Sequence, residues 1–228
     1  MRHLAIIMDG NRRWARRQHL PPVAGHYHGS ETLRRTALYA NGLGLRFLSV
    51  YAFSTENWNR PLGEVTGLME VFTNSLTRLL PELHENGIRL RFFGALEQFS
   101  PALRQQQKEA MEFTRNNSGM VLQVAMNYGA RRELLHACMA LIEEYQASGR
   151  SPSELKEEDL AERLYLPGCP DPDVVLRTGG EHRLSNFMLW QAAYAEVMLT
   201  DVLWPDFSPA DVDKAILDFS NRQRRFGR

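Results

Sequence analysis

Six short apolar runs, at residues 4–8, 47–53, 88–93, 121–126, 173–176 and 195–200, are separated mostly by segments of helical period, and this alternation most limits the folds open to the chain. Strands that recur between helices pair through crossovers, which predicts an α/β architecture with a mainly parallel central sheet of about six strands surrounded by helices. Residues 28–42, 62–86, 101–117, 130–147, 154–165 and 209–226 read as those helices, several opened by Ser, Pro or Asp. With 228 residues, 43% hydrophobic and 24% charged, one sizeable core and a single domain over 1–228 are expected. The stretch from Ala147 to Pro152 is short and runs into the acidic Glu154 to Glu158, so it reads as a surface connection.

Charge narrows the function. Lys plus Arg equals Asp plus Glu at 27 each, so no global excess draws nucleic acid, and any anion site must be a local cluster. The two cysteines, Cys138 and Cys169, lie far apart without metal spacing, which fits thiols in a reducing compartment. The chain opens on a strand with no signal segment, and its apolar runs fall short of the roughly 20 residues of a spanning helix. A cytoplasmic location is the expectation.

The first run breaks at Asp9-Gly10-Asn11 and continues as Arg12-Arg13-Trp14-Ala15-Arg16-Arg17. A buried strand, a Gly turn and a basic helix start together make a phosphate-binding geometry, with free backbone N–H groups and forked arginine donors. Asp9 is the odd member. A carboxylate in a cradle for anions is repelled by phosphate unless a cation intervenes, and Mg²⁺ is commonly held by one or two carboxylates plus substrate phosphates. A metal-diphosphate site is therefore expected, although one Asp-Gly-Asn turn alone also fits a plain helix start with a solvated basic face.

Two further segments raise the chemistry above that reading. After the run Phe47 to Ala52 comes Phe53-Ser54-Thr55-Glu56-Asn57-Trp58-Asn59-Arg60-Pro61, which puts hydroxyl, carboxylate, amide, indole and guanidinium groups at the carboxyl end of a strand, where α/β sheets gather ligands. Alone, this segment fits a capped loop. In Asp173 to Asn186, a strand delivers Arg177, Gly179-Gly180 turns the chain, and Arg183 with Ser185 can converge on the same oxyanions, giving a second diphosphate pocket. Glu196, ten residues beyond Asn186, could supply a second carboxylate for Mg²⁺. Taken singly it reads as a solvated strand residue.

These three segments, with Ala24-Gly25-His26, Asn127-Tyr128-Gly129 and Trp204-Pro205-Asp206-Phe207 between and after them, resemble the cis-prenyltransferase family from residue 3 to the C-terminus, its bacterial branch most closely. The resemblance implies a homodimeric, Mg²⁺-dependent enzyme. It would condense isopentenyl diphosphate onto an allylic diphosphate, farnesyl diphosphate in the first place, to give a Z-polyprenyl diphosphate. In that branch the product is undecaprenyl diphosphate, the lipid carrier of cell-wall glycan synthesis, so release implies transient contact with the inner face of the membrane.

Carried over by position, Asp9 holds Mg²⁺ and the departing diphosphate, with Glu196 sharing the metal. Gly10, Asn11, Arg13 and His26 hold the allylic diphosphate, helped by Arg12 and Arg17. Arg177, Arg183 and Ser185 grip isopentenyl diphosphate. Asn57, with Ser54 and Trp58, shapes the reacting centre, and Trp14, Glu56 and Arg60 complete the substrate-binding set. Arg225 and Gly227 match an Arg-x-Gly ending that reaches the partner's isopentenyl diphosphate site. Pro22 departs from the family, which commonly has a basic residue there.

After Pro61, apolar residues at Val65, Leu68, Met69, Phe72, Leu76, Leu79, Leu80 and Leu83 form a stripe of period 3.6 that alone reads as core packing. The resemblance makes this helix the wall of a hydrophobic tunnel, with Ala52, Leu68, Phe72, Leu76 and Ile88 as candidates. The competing class is a non-catalytic, membrane-anchored binding subunit of the same fold. Such a chain would be expected to lose the Asp-Gly-Asn turn or the Asn57 loop, and this one has both. A nucleotide-dependent phosphotransferase is disfavoured because neither Gly-rich nucleotide motif occurs.

Overall fold

The computed structural model describes residues 1–222. Its strands β1 (His3–Ile7), β2 (Phe47–Ser54), β3 (Arg89–Phe93), β4 (Val121–Tyr128), β5 (Val174–Arg177) and β6 (Glu196–Leu199) form one sheet in the order β3-β4-β2-β1-β5-β6. Every pairing is parallel. From β1 the chain passes to β2, β3 and β4 on one side and then crosses over to β5 and β6 on the other, so β1 and β5 flank the point where the connections diverge. Ligand crevices open at the carboxyl ends of such strands.

Helices α1 (Asn11–Arg17), α2 (Pro22–Gly42), α3 (Leu62–Glu85), α4 (Pro101–Phe113), α5 (Ala130–Ser148), α6 (Glu157–Ala161) and α7 (Pro209–Ser220) cover the sheet. Because both faces are covered, β1 and β5 are buried throughout and read as continuous apolar runs rather than alternating ones. The pleat still divides them. Leu4, Ile6, Leu48, Val50, Leu122, Val124 and Leu176 join one core with residues of α2, α3 and α7, whereas Ala5, Ile7, Ala125 and Val175 face a second with Ala130, Phe187 and Met188.

The expected strands and most helices form within a few residues of their expected bounds. Two helices differ. The second begins at Pro22 rather than residue 28, because Pro at the first helical position needs no N–H partner, and because Gly25 and Gly29 are used for close packing against Asn11. The expected helix over 154–165 reduces to Glu157–Ala161, with a single 3₁₀ turn at Pro152–Glu154 before it and Pro167-Gly168 soon after.

Candidate active site

The turn after β1 is fixed to the end of β5 by one hydroxyl. Thr178 Oγ1 accepts from Asp9 N at 2.9 Å and donates to Asp9 O at 2.7 Å, while Trp204 N donates to the same carbonyl at 2.9 Å. Gly10 follows at φ 110°, a left-handed conformation, with Leu203 so close that an added Cβ would lie 2.9 Å from its Cδ2. The Asp9 carboxylate is thereby set at the sheet edge. Its Oδ2 accepts from Arg177 Nη2 at 2.8 Å, and its Oδ1 lies 3.3 Å from Arg13 Nη2.

Arg177 is buried, and its other terminal nitrogen donates to Arg183 O and Ser185 Oγ, both at 2.6 Å. Ser185, Asn186 and Met188 all have positive φ, a cluster of left-handed residues of the kind found at ligand clamps. Arg177 thus organises the loop that carries Ser185 while it holds Asp9.

Two polar depressions meet at this carboxylate. One, of about 830 Å³, is bordered by Gly10, Asn11, Arg12, Arg13, Arg16 and His26; the other, of about 540 Å³, by Tyr51, Ser54, Glu56, Asn57, Arg177 and Ser185. Met8, Asp9, Arg60 and Arg183 border both and form the ridge between them. The arginines around the ridge are held by carboxylates. Glu64 Oε1 lies 3.0 Å from Arg60 and 3.6 Å from Arg12, and Glu181 pairs Arg183 at 2.5 Å and Arg13 at 4.0 Å.

His26 sits where the larger pocket meets an apolar cavity. Burial, with the charges of Arg60 and Arg12 adding to it, lowers its pKa to about 4, and its buried Nε2 has no hydrogen-bond partner. The buried Oδ1 of Asn11 is also without one. Behind Met8, Asn11 and His26 the cavity, about 130 Å³, runs between α2 and α3 over the sheet and is walled by Ala52, Leu68, Phe72 and Leu76. These four are the expected tunnel residues. Ile88 is not among the walls: it is fully buried in the core, with its N–H donated to Leu83 O at the end of α3.

A 3₁₀ turn, Thr55–Asn59, continues β2 and presents Asn57 to the smaller pocket. Asn57 Oδ1 accepts from Ser54 N at 3.2 Å, and Asn186 Nδ2 donates to Glu56 Oε1 at 3.1 Å. Burial opposes ionisation of Glu56, but hydrogen bonds from its own backbone, Asn186, Ser54 and Thr55 outweigh it and hold the carboxyl below its ordinary range. Burial and the nearby Glu56 charge push the Tyr51 phenol up, so it acts as a donor, to Tyr128 O at 3.0 Å.

Several expected residues lie elsewhere. Trp14 borders neither polar pocket; its indole donates to Asp206 Oδ1 at 2.7 Å and its ring lies 4.5 Å from that of His28. Trp58 borders neither as well, and its indole donates to Asn127 Oδ1 at 2.8 Å. Arg17 is exposed and outside both pockets, whereas Arg16 shares the larger one with Pro22.

Glu196 needs correction as a companion of Asp9 in one chain. Its register partners are Val174 and, beyond that, Leu4, so it opens β6 at the amino edge of the sheet while Asp9 follows the carboxyl edge of β1. Its carboxylate instead accepts from Arg222 at 2.6 Å. Among the described residues no group of three or more His, Cys, Asp or Glu side chains could hold a metal. Arg225 and Gly227 lie outside the described residues.

Sequence reasoning left Thr178, Glu64 and Asn127 without roles. Glu64 had a signal, its i,i+4 spacing from Arg60 at a helix start. Asn127 had a weaker one, since Asn before Tyr-Gly is a residue type that tolerates the left-handed φ of 49° found there.

A parallel sheet whose carboxyl edge carries two arginine-rimmed pockets and an apolar cavity defines a protein for phosphorylated, apolar-tailed ligands. A family model described as putative undecaprenyl diphosphate synthase matches residues 7–227. An isoprenyl transferase of Neisseria gonorrhoeae is 46% identical over 227 residues, covering 100% of this chain and 89% of its own. A ditrans,polycis-undecaprenyl-diphosphate synthase ((2E,6E)-farnesyl-diphosphate specific) of Salmonella typhimurium is 44% identical, over 99% and 90%. Among solved structures, lavandulyl diphosphate synthase from Lavandula x intermedia, in complex with dimethylallyl diphosphate, has a TM-score of 0.96 at 30% identity, covering 100% of this chain and 98% of that one. A probable undecaprenyl diphosphate synthase from Campylobacter jejuni has a TM-score of 0.83 at 33% identity, over 100% and 99%. The chain belongs to the undecaprenyl diphosphate synthase family of prenyltransferases.

Proposed function

We propose that this chain is a cis-prenyltransferase that extends an allylic diphosphate, farnesyl diphosphate in particular, by repeated addition of isopentenyl diphosphate, with undecaprenyl diphosphate as the product. The observation that carries this reading is the meeting of two cationic pockets at Asp9, with an apolar cavity opening behind Met8, Asn11 and His26. The larger pocket takes the allylic diphosphate, because it adjoins the cavity that would receive the attached chain. The smaller pocket takes isopentenyl diphosphate, whose carbon end then lies beside Asn57.

When the allylic C–O bond breaks, negative charge grows on the departing diphosphate. Arg12, Arg13, Arg16 and Arg60 border the pocket where it grows, and preorganised donors aimed at developing charge are commonly the largest contribution to a rate. Glu64 and Glu181 give up these arginines as the diphosphates arrive. The Asp9 carboxylate, with one oxygen held only by a 3.3 Å contact, suits Mg²⁺ that arrives with a diphosphate, since such sites use one or two carboxylates and phosphate oxygens. Once bound, the ion supplies Lewis-acid neutralisation of the leaving group.

Each added isoprene unit buries five carbons, worth roughly 3–4 kcal/mol, so release of a long product into a membrane limits turnover. No helix among the described residues is long and apolar enough to cross a membrane. The chain works as a homodimer in this reading, and Leu135, Met139 and Ile142, exposed at i, i+4 and i+7 on α5, supply an apolar stripe for a second copy. Incubation with farnesyl diphosphate, labelled isopentenyl diphosphate and Mg²⁺, followed by sizing of the lipid, tests the proposal. A ladder of extended diphosphates is expected, and binding without any extension would favour a non-catalytic subunit.

A further inference from the structure

We infer that Asn127, at the end of β4, positions the Asn57 turn by holding the Trp58 indole, an inference that rests on the reading of Asn57 as part of the reacting centre.

The ladder between β2 and β4 runs regularly from Phe47 opposite Val121 to Tyr51 opposite Ala125, and then slips: Phe53 faces Met126 and Ser54 faces Tyr128. Asn127 is passed over. An unpaired residue at a ladder irregularity is re-aimed, and bulges next to active sites serve this end. Here the backbone of Asn127 turns left-handed, at φ 49°, and its side chain leaves the sheet for the turn that follows β2.

Asn127 is 1% exposed, and both ends of its carboxamide are committed. Oδ1 accepts from Trp58 Nε1 at 2.8 Å, and Nδ2 donates to Ala95 O at 2.8 Å. Because an indole only donates and a backbone carbonyl only accepts, the amide has one orientation that satisfies both. Trp58 is gripped at its ring as well, with the Phe53 ring at 5.0 Å and the Phe99 ring at 5.7 Å. Asn127 therefore ties the β2 turn to the segment after β3.

Neighbouring residues of the turn are held from other directions, Glu56 by Asn186 and the Asn57 side chain by Ser54 N. Trp58 is the point at which β4 holds the turn. Asn127 borders neither polar pocket, so its effect on Asn57 passes through the next residue along the chain. A displacement of about 1 Å in a reacting geometry can cost about 10²-fold in rate, so loss of this hydrogen bond should show in turnover.

The test is a double-mutant cycle on kcat with full-length protein. Asn127→Gly deletes the side chain without imposing strain on the left-handed backbone, and Trp58→Phe deletes the indole N–H while keeping a ring between Phe53 and Phe99. Each single variant is expected to lower kcat by about 10–100-fold, with the KM for the allylic diphosphate within about twofold. The double variant should fall no further than the worse single one, because both changes break the same contact. If Asn127→Gly does not fold, Trp58→Phe carries the test by the same split of kcat against KM. Wild-type kcat in either variant, or losses that multiply in the double, would overturn the inference. A wild-type chain that fails to extend farnesyl diphosphate in the same assay overturns the functional reading and this inference with it, whereas an active wild type with unaffected variants overturns the positioning role alone.

Discussion

Arg177 reaches Asp9 from the neighbouring strand, Nη2 to Oδ2 at 2.8 Å, and the guanidinium is 6% exposed against 29% for the carboxylate. The buried partner is thus the arginine. Its charge is compensated by Asp9, while its other terminal nitrogen fixes the loop of Arg183 and Ser185. One guanidinium therefore sets the ridge carboxylate and the rim of the smaller pocket relative to each other.

Asp9→Asn keeps an oxygen for Arg177 to donate to but removes the charge that would attract Mg²⁺. Turnover should fall on the order of 10³-fold, as several kcal/mol of leaving-group stabilisation disappear. Thermal melting should show an intact fold. Near-normal kcat at saturating Mg²⁺ would remove Asp9 from the reaction. Asp9→Ala is the poorer variant, since it leaves the buried Arg177 with neither the charge nor the oxygen it donates to, a change that can cost about 3–5 kcal/mol.

The two pockets separate by kinetics. Arg16 borders only the larger pocket and Arg183 lies on the shared ridge. Arg16→Ala should raise the KM for the allylic diphosphate about tenfold, within the range of a lost charge-assisted hydrogen bond, and leave that for isopentenyl diphosphate alone. Arg183→Ala should raise both. The assignment of the larger pocket fails if Arg16→Ala acts mainly on isopentenyl diphosphate.

His26 makes stability depend on pH. The unfolded chain takes up this proton near the ordinary histidine value of 6.5, whereas the folded chain does so only at about 4. Between these values the unfolded state binds more protons, so the stabilising contribution is complete above pH 6.5 and is lost as pH falls towards 4. The loss is at most about 3 kcal/mol. Urea midpoints measured from pH 7 to 4 should decline less steeply in His26→Gln than in wild type; parallel curves would mean that His26 titrates normally in the fold.

The sequence made the fold legible because burial on both faces leaves parallel strands as bare apolar runs, easily told from the helices between them. The Asp9 turn, the Arg177 loop and the Asn57 segment were legible for a different reason: each follows a strand at the sheet edge where ligands gather. What could not be read was contact between distant segments. Nothing near Asp9 in sequence shows that Thr178 clasps its backbone, and nothing near Trp58 shows that Asn127 waits 69 residues later. Glu196 illustrates the converse. Its residue type suited a metal, but strand register puts it at the opposite end of the sheet from Asp9, a fact that depends on how β6 pairs with β5.

Gly29 offers a test of how Asn11 is placed. A Cβ added there would lie 2.4 Å from Asn11 Oδ1 and 2.9 Å from Trp204 Cδ1, and Trp204 is fully buried with its indole already donated to Gly29 O at 2.8 Å. The ring cannot give way, so Asn11 must. Gly29→Ala should therefore destabilise by about 1–3 kcal/mol through overpacking, even though alanine favours a helix by about 1 kcal/mol over glycine. It should also raise the KM for the allylic diphosphate while that for isopentenyl diphosphate holds. Gly42, at the end of the same helix, has nothing within 4 Å of such a Cβ, so Gly42→Ala is the matched control for helix propensity and should leave both KM values at wild type. Urea denaturation and two-substrate kinetics on the pair decide the matter: if Gly29→Ala behaves like Gly42→Ala, the contact with α2 does not hold Asn11 at the pocket.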